Sequence, residues 1–88
     1  MNTAFLLMAQ YNGQAIIPLD RVCRDYFNLT PDQFQRKVLA GQIRLPITRM
    51  EGGQKAAKGI HLYDLAQYID AQRAEAIKEY QTLNRHRA

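Results

Sequence analysis

The chain has 88 residues, enough for one domain with a modest hydrophobic core. It carries twelve Lys and Arg against eight Asp and Glu, a net charge of +4, and its apolar share of 47% lets it fold without metal or disulfide help. The one cysteine, Cys23, excludes an internal disulfide and points to a reducing compartment, and one Cys with two distant His (His61 and His86) offers no metal-ligand spacing.

The opening "MNTAFLLMAQYNGQ" has six consecutive apolar residues and no basic residue ahead of them, too short for a signal peptide core or a membrane span. A cytoplasmic protein with no membrane partner is expected. Within that stretch, "AFLLMAQY" predicts a short helix, capped by Thr3 and stopped near Asn12-Gly13. "QAIIP" is an apolar, β-branched run closed by Pro18, and it predicts a short strand. In "LDRVCRDYF", Val22, Cys23, Tyr26 and Phe27 share one helical face, while Asp20, Arg21, Arg24 and Asp25 take the other.

The next helix is announced by "TPDQ". Thr30 stands at the N-cap, Pro31 is the first helical residue, and Gln33 completes a capping box. Asn28 and Leu29 leave only a short connection to the helix before it. At about 100° per residue, Phe34, Val38 and Leu39 form an apolar side, and Gln33, Arg36, Lys37 and Ala40 lie opposite. Gly41 ends this helix. "IRLPIT" then alternates Ile43, Leu45 and Ile47 with Arg44, Pro46 and Thr48, the pattern of a half-buried strand. Pro46 implies that one side of that strand lacks a hydrogen-bonded neighbour. "GIHL" repeats the alternation with Ile60 and Leu62, so the two strands are expected to form a hairpin. From about Tyr63 to Asn84 a long helix follows, free of Pro and Gly.

This order predicts an α+β fold, a winged helix-turn-helix: helix, short strand, two helix-turn-helix helices and a β-hairpin wing, with a long C-terminal helix. Residues 1–62 would be the DNA-binding domain, and residues 63–88 a helix packed on the same core. Charge agrees with it. Between Gln33 and Gly59 lie Arg36, Lys37, Arg44, Arg49, Lys55 and Lys58 against the single acid Glu51. That local excess is larger than the net charge of the chain and suits an anionic partner, nucleic acid above all.

The recognition helix is expected at about 31–40. Gln33 could pair with adenine, Arg36 with guanine, and Lys37 with guanine or phosphate, while Ala40 is small enough to allow close approach. The loop "EGGQKAAKG" would be a wing over 49–59, with Lys55, Lys58 and Arg49 neutralising phosphates and Arg44 completing the basic set. A Walker-type nucleotide loop is excluded, because Lys58 precedes Gly59 and no Ser or Thr follows it.

The long helix carries apolar positions beyond what one small domain covers. Ile69, Ile77, Tyr80 and Leu83 are expected to pair with a second copy, giving a homodimer that reads two half-sites. Catalysis finds no support: the chain has no Ser, Cys23 falls on an apolar helical face, and His61 sits on a strand between core residues. A non-enzyme without cofactors is expected.

The stretches "MNTAFLLMAQYNGQAIIPL", "VCRDYF", "LTP", "GQIRLPITR", "GGQKAAKGIHL" and "DLAQYIDA" resemble the pyocin activator protein family. The resemblance implies a transcription activator that binds a repeated promoter element upstream of bacteriocin gene clusters. Its partner would be double-stranded promoter DNA, and a promoter activator must also touch RNA polymerase. Two other classes remain open: an excisionase-like architectural protein that bends DNA, and an adaptor whose basic face meets an acidic protein.

Overall fold

The protein is described here by a computed structural model covering residues 2–53 and 57–87, with side chains through residue 85. Local signals set most helix ends. α1 (Thr3–Gln10) starts at Asn2, whose side chain accepts from the Ala4 N–H, so Asn2 rather than Thr3 is the N-cap. The Thr3 hydroxyl instead donates to Asp70 Oδ1, far along the chain. α1 ends as expected at Asn12 and Gly13. Asn12 takes a positive φ of 57°, and the Gly13 N–H returns to the Met8 carbonyl at 2.8 Å.

β1 (Ile16–Pro18) leads directly into α2 (Leu19–Val22), which continues as a wider π-helical turn over Cys23–Phe27. Asn28 closes that turn in the left-handed region, φ 54° and ψ 42°, and redirects the chain within two residues. α3 (Pro31–Leu39) then begins with the full capping box: Thr30 Oγ1 accepts from the Gln33 N–H at 3.2 Å, and Gln33 Oε1 accepts from the Thr30 N–H at 3.1 Å. At its far end Gly41 adopts φ 77°, with the Gln42 N–H bonded to the Lys37 carbonyl and the Gly41 N–H to that of Val38. Both bonds belong to a Schellman stop.

The three-stranded antiparallel sheet has the order β1-β3-β2, with β2 at Thr48–Arg49 and β3 at Lys58–His61. Ile17 faces Ile60 across β1 and β3, while Thr48 faces Gly59 and Arg49 faces Lys58 across the hairpin. Gly59 is paired on both sides, and a Cβ there would stand 2.5 Å from the Ile17 carbonyl oxygen. The strand expected over 43–48 is largely absent. Ile43 and Leu45 are buried and Ile47 half-buried as the alternation requires, yet only Thr48 joins the sheet. Residues 43–47 use their inward side chains to cover the core while making no ladder, and Pro46 has no N–H to give one.

The core unites all layers. Tyr11, Ile17, Val22, Cys23, Phe34, Ile60 and Leu65 are its most deeply buried side chains. Phe27 meets Phe34 edge-on at 5.0 Å and Tyr68 at 5.6 Å, linking the π turn, α3 and α4 (Leu62–Arg87). Tyr11 donates its hydroxyl to Asp25 Oδ2 at 2.7 Å beneath the Arg21 guanidinium, which lies 4.8 Å from the ring centre. Burial, followed by this bond to a carboxylate, holds the Tyr11 phenol far above the usual tyrosine range.

α4 starts at His61, whose Nδ1 accepts from the Tyr63 N–H at 3.1 Å, so His61 acts as its N-cap. Leu62, Leu65 and Ala66 are buried, Tyr68 and Ile69 pack half-buried on the core, and residues 70–85 are exposed. The helix therefore outruns the body, and the molecule measures 55 Å along its long axis. An α+β architecture of four helices and a small antiparallel sheet is thus established, with a layout compatible with a winged helix-turn-helix.

Candidate nucleic-acid interface

Phe34 and Val38 turn α3 inward, which leaves Arg36, Lys37 and Ala40 in solvent. Neither cation has an acidic partner, because Arg24 with Asp25 is the one ion pair among the described residues. The outward side of α3 is therefore an unneutralised positive surface. Asp32, at the other end of the helix, is its single acid.

Gln33 is exposed on the first turn, but its amide oxygen is engaged by the Thr30 N–H. Its NH2 group remains open to an acceptor. A two-point pairing with adenine needs that oxygen as well, so reading by Gln33 competes with the cap.

Lys58 lies at the start of β3 and is half-buried. Its Nζ donates to Gln35 Oε1 at 3.2 Å, which places the ammonium against the flank of α3 next to Arg36 in sequence. Across the hairpin from Lys58 stands Arg49, exposed at the end of β2. The Met50 N–H bonds the Ala57 carbonyl and extends the hairpin by one step, and Glu51, Gly52 and Gly53 continue outward in solvent. Lys55, with Gln54 and Ala56, lies outside the described residues.

Arg44 is positioned differently from the other cations. It borders a groove between residues 42–46 and α4, opposite Asp64 and Glu75. The structure thus exposes Arg36 and Lys37 on α3, holds Lys58 at Gln35 on another side of the same helix, sets Arg49 at the hairpin, and places Arg44 at the groove beside α4. Of the residues expected to pair two copies, Ile69 rests on the chain's own core, while Ile77, Tyr80 and Leu83 are exposed.

Two residues on this surface escaped the sequence reading. Gln35 holds Lys58, a contact between positions 23 apart that no local pattern encodes. Leu39 was expected on the apolar side, yet it is 88% exposed at the last turn of α3. At about 140° from Phe34 it lies nearer Arg36 than the core, so the helical wheel itself carried that signal.

The family described as pyocin activator protein PrtN matches residues 3–76. The chain belongs to the pyocin activator family. Among curated proteins and among solved structures, none matches it. The pyocin activator match takes in every element of the body and ends within α4, so residues 77–87 lie beyond it. The family is regulatory rather than enzymatic. Among the described residues, no helix is long and apolar enough to cross a membrane, and no cluster of His, Cys, Asp and Glu suits a metal ion.

Proposed function

We propose that this pyocin activator family member is a DNA-binding transcription activator of pyocin genes, that α3 enters the major groove, and that the hairpin lies along the phosphate backbone. The observation that carries this reading is the acid-free pair Arg36 and Lys37 on an exposed helix, with Lys58 held against the same helix. Arg36 faces guanine, Lys37 guanine or phosphate, and Lys55, Lys58 and Arg49 phosphates. Leu39 supplies an apolar surface suited to a thymine methyl group. Two copies act together through Ile77, Tyr80 and Leu83, which doubles the reading surface and suits a repeated promoter element. Promoter DNA is the first partner, and RNA polymerase the second.

Fluorescence anisotropy with a pyocin promoter fragment and a scrambled duplex, across a salt series, tests this. Tight, salt-sensitive binding that prefers the promoter is expected. Arg36→Ala should weaken promoter binding by about 1 to 3 kcal/mol and blunt the preference. Binding that ignores sequence favours an architectural protein, and no binding favours a protein-binding adaptor.

A further inference from the structure

The groove beside Arg44 has a chemistry of its own. It runs between residues 42–46 and α4 with a volume of about 600 Å³, inside the range of roughly 300 to 1,000 Å³ usual for ligand sites. Among the described residues, Arg44 on one wall and Asp64 and Glu75 on the other are the charges that line it. No ion pair joins them, and no side-chain hydrogen bond among the described residues engages them or the lining amides of Gln42, Gln67 and Gln72. One cation and two acids thus face each other across open space with their bonding capacity uncommitted.

The walls set the shape of what fits. At about 100° and 1.5 Å per residue, Glu75 lies about 20° around α4 from Asp64 and about 16 Å further along it. Both carboxylates therefore stand in one row on the groove side, while Arg73, about 180° from Asp64, stands on the far side. The other wall is extended chain, in which Ile43 and Leu45 point into the core and Gln42 and Arg44 line the groove. A row about 16 Å long exceeds a single amino acid and matches about five residues of extended chain at about 3.3 Å each. The two carboxylates repel phosphate, so nucleic acid does not suit this groove.

We propose that this groove docks an extended segment of a partner protein, about five residues long, with basic side chains four positions apart and one acidic side chain at an odd position between them. In extended chain the side chains at i and i+4 share a side and lie about 13 Å apart, so Lys or Arg there reach Asp64 and Glu75. A side chain at i+1 or i+3 points the other way, towards Arg44. The amides of Gln42, Gln67 and Gln72 offer donors and acceptors to the main chain of the segment. This docking does not depend on DNA binding. It rests on opposite charges matched in order and spacing, not on exposed apolar side chains.

NMR titration of the isotope-labelled full chain with capped peptides, at low salt and without DNA, tests the docking. The probes are acetyl-Lys-Asp-Gly-Gly-Lys-amide and acetyl-Lys-Gly-Gly-Asp-Lys-amide, which cover both chain directions, and the charge-inverted acetyl-Glu-Lys-Gly-Gly-Glu-amide. One of the first two should bind with a Kd on the order of 1 mM or tighter and shift the amide signals of residues 42–46 and 64–75, and the inverted peptide should bind there more weakly. Glu75→Gln and Arg44→Gln change exposed side chains, and the amide spectrum reports whether each variant keeps its fold. Each should weaken binding of the better probe by about two- to fivefold, the worth of one exposed ion pair. Arg44→Gln should not weaken acetyl-Lys-Gly-Gly-Gly-Lys-amide, which has no acid for Arg44 to meet. Absence of shifts along the groove at several millimolar of either probe, equal binding of the inverted peptide, or affinities untouched by both substitutions overturns the proposal.

Discussion

Lys58 Nζ donates to Gln35 Oε1 across 3.2 Å and so joins β3, at the base of the hairpin, to the flank of α3. The hairpin and the helix are thereby set relative to each other by one partly buried bond as well as by the core beneath them. Removing either partner should cost about 0.5 to 1.5 kcal/mol of stability, and the double variant Lys58→Ala/Gln35→Ala should cost less than the two singles added. On promoter DNA the two singles should part company. Lys58→Ala should make the salt slope shallower by about 0.9 per bound subunit, whereas Gln35→Ala should leave it alone. Fully additive losses in urea denaturation would show that the pair does not couple in solution.

Gly59 separates β1 from β2 with no space for a side chain. Its Cβ would meet the Ile17 carbonyl oxygen at 2.5 Å and Ile16 Cγ2 at 2.6 Å. Gly59→Ala should push β1 away and cost about 1 to 3 kcal/mol or more. Gly52→Ala, where nothing lies within 4 Å of the added methyl, provides the comparison and should change stability by less than about 0.5 kcal/mol. Equal denaturation midpoints for the two variants would contradict the tight pairing at Gly59.

The capping box puts a stability cost and a binding question on the same side chain. Thr30→Ala should lower stability by about 1 kcal/mol, since it strips the acceptor from the first turn of α3. Gln33→Ala should also destabilise. If Gln33 serves chiefly as a cap, promoter preference in the anisotropy assay should be unchanged by that variant at temperatures where it stays folded. A lost preference would mean that the amide leaves the cap to read a base.

Tyr11 makes the fold sensitive to alkali. Its phenol is held protonated far above the ordinary value of about 10, first by burial and then by the bond to Asp25. Between those limits the unfolded chain has released the proton and the folded chain has not, so the stabilisation is complete below pH of about 10 and is lost as pH rises from there towards the folded value. The slope due to this group should be about 1.4 kcal/mol per pH unit. Tyr11→Phe should lose the Asp25 bond, lowering stability near neutral pH by about 1 kcal/mol, and should flatten the alkaline fall. In a spectrophotometric titration, one of the five tyrosines should resist ionisation until the chain unfolds.

The features legible in the sequence are those decided within a few residues. Thr30-Pro31 with Gln33, Asn12-Gly13, Gly41 and the alternation around Ile60 each carry their own geometry, and the helices and the hairpin follow from them. At Ile43 to Ile47 the alternation foretold burial correctly but not a ladder, because period-two burial says nothing about whether a neighbour offers hydrogen bonds. Asn2 displaced Thr3 as the cap once Thr3 was drawn to Asp70, 67 positions away. The basic surface was legible as composition between Gln33 and Gly59, yet its division was not. Arg44 points to the α4 groove and Lys58 is held by Gln35, and both outcomes depend on how elements pack.

Cys23, the chain's one thiol, is fully enclosed among core residues, and burial pushes its ionisation upward. A thiol-reactive dye can reach it only when the helical body opens, so the rate of labelling measures that opening without any introduced cysteine. A dye or crosslinker placed at an introduced surface cysteine would, for the same reason, react there first, with the native residue silent. The molecule thus carries its own clock for internal motion, readable with and without DNA, on the single side chain that helps to hold α2 and the π turn to the rest of the core.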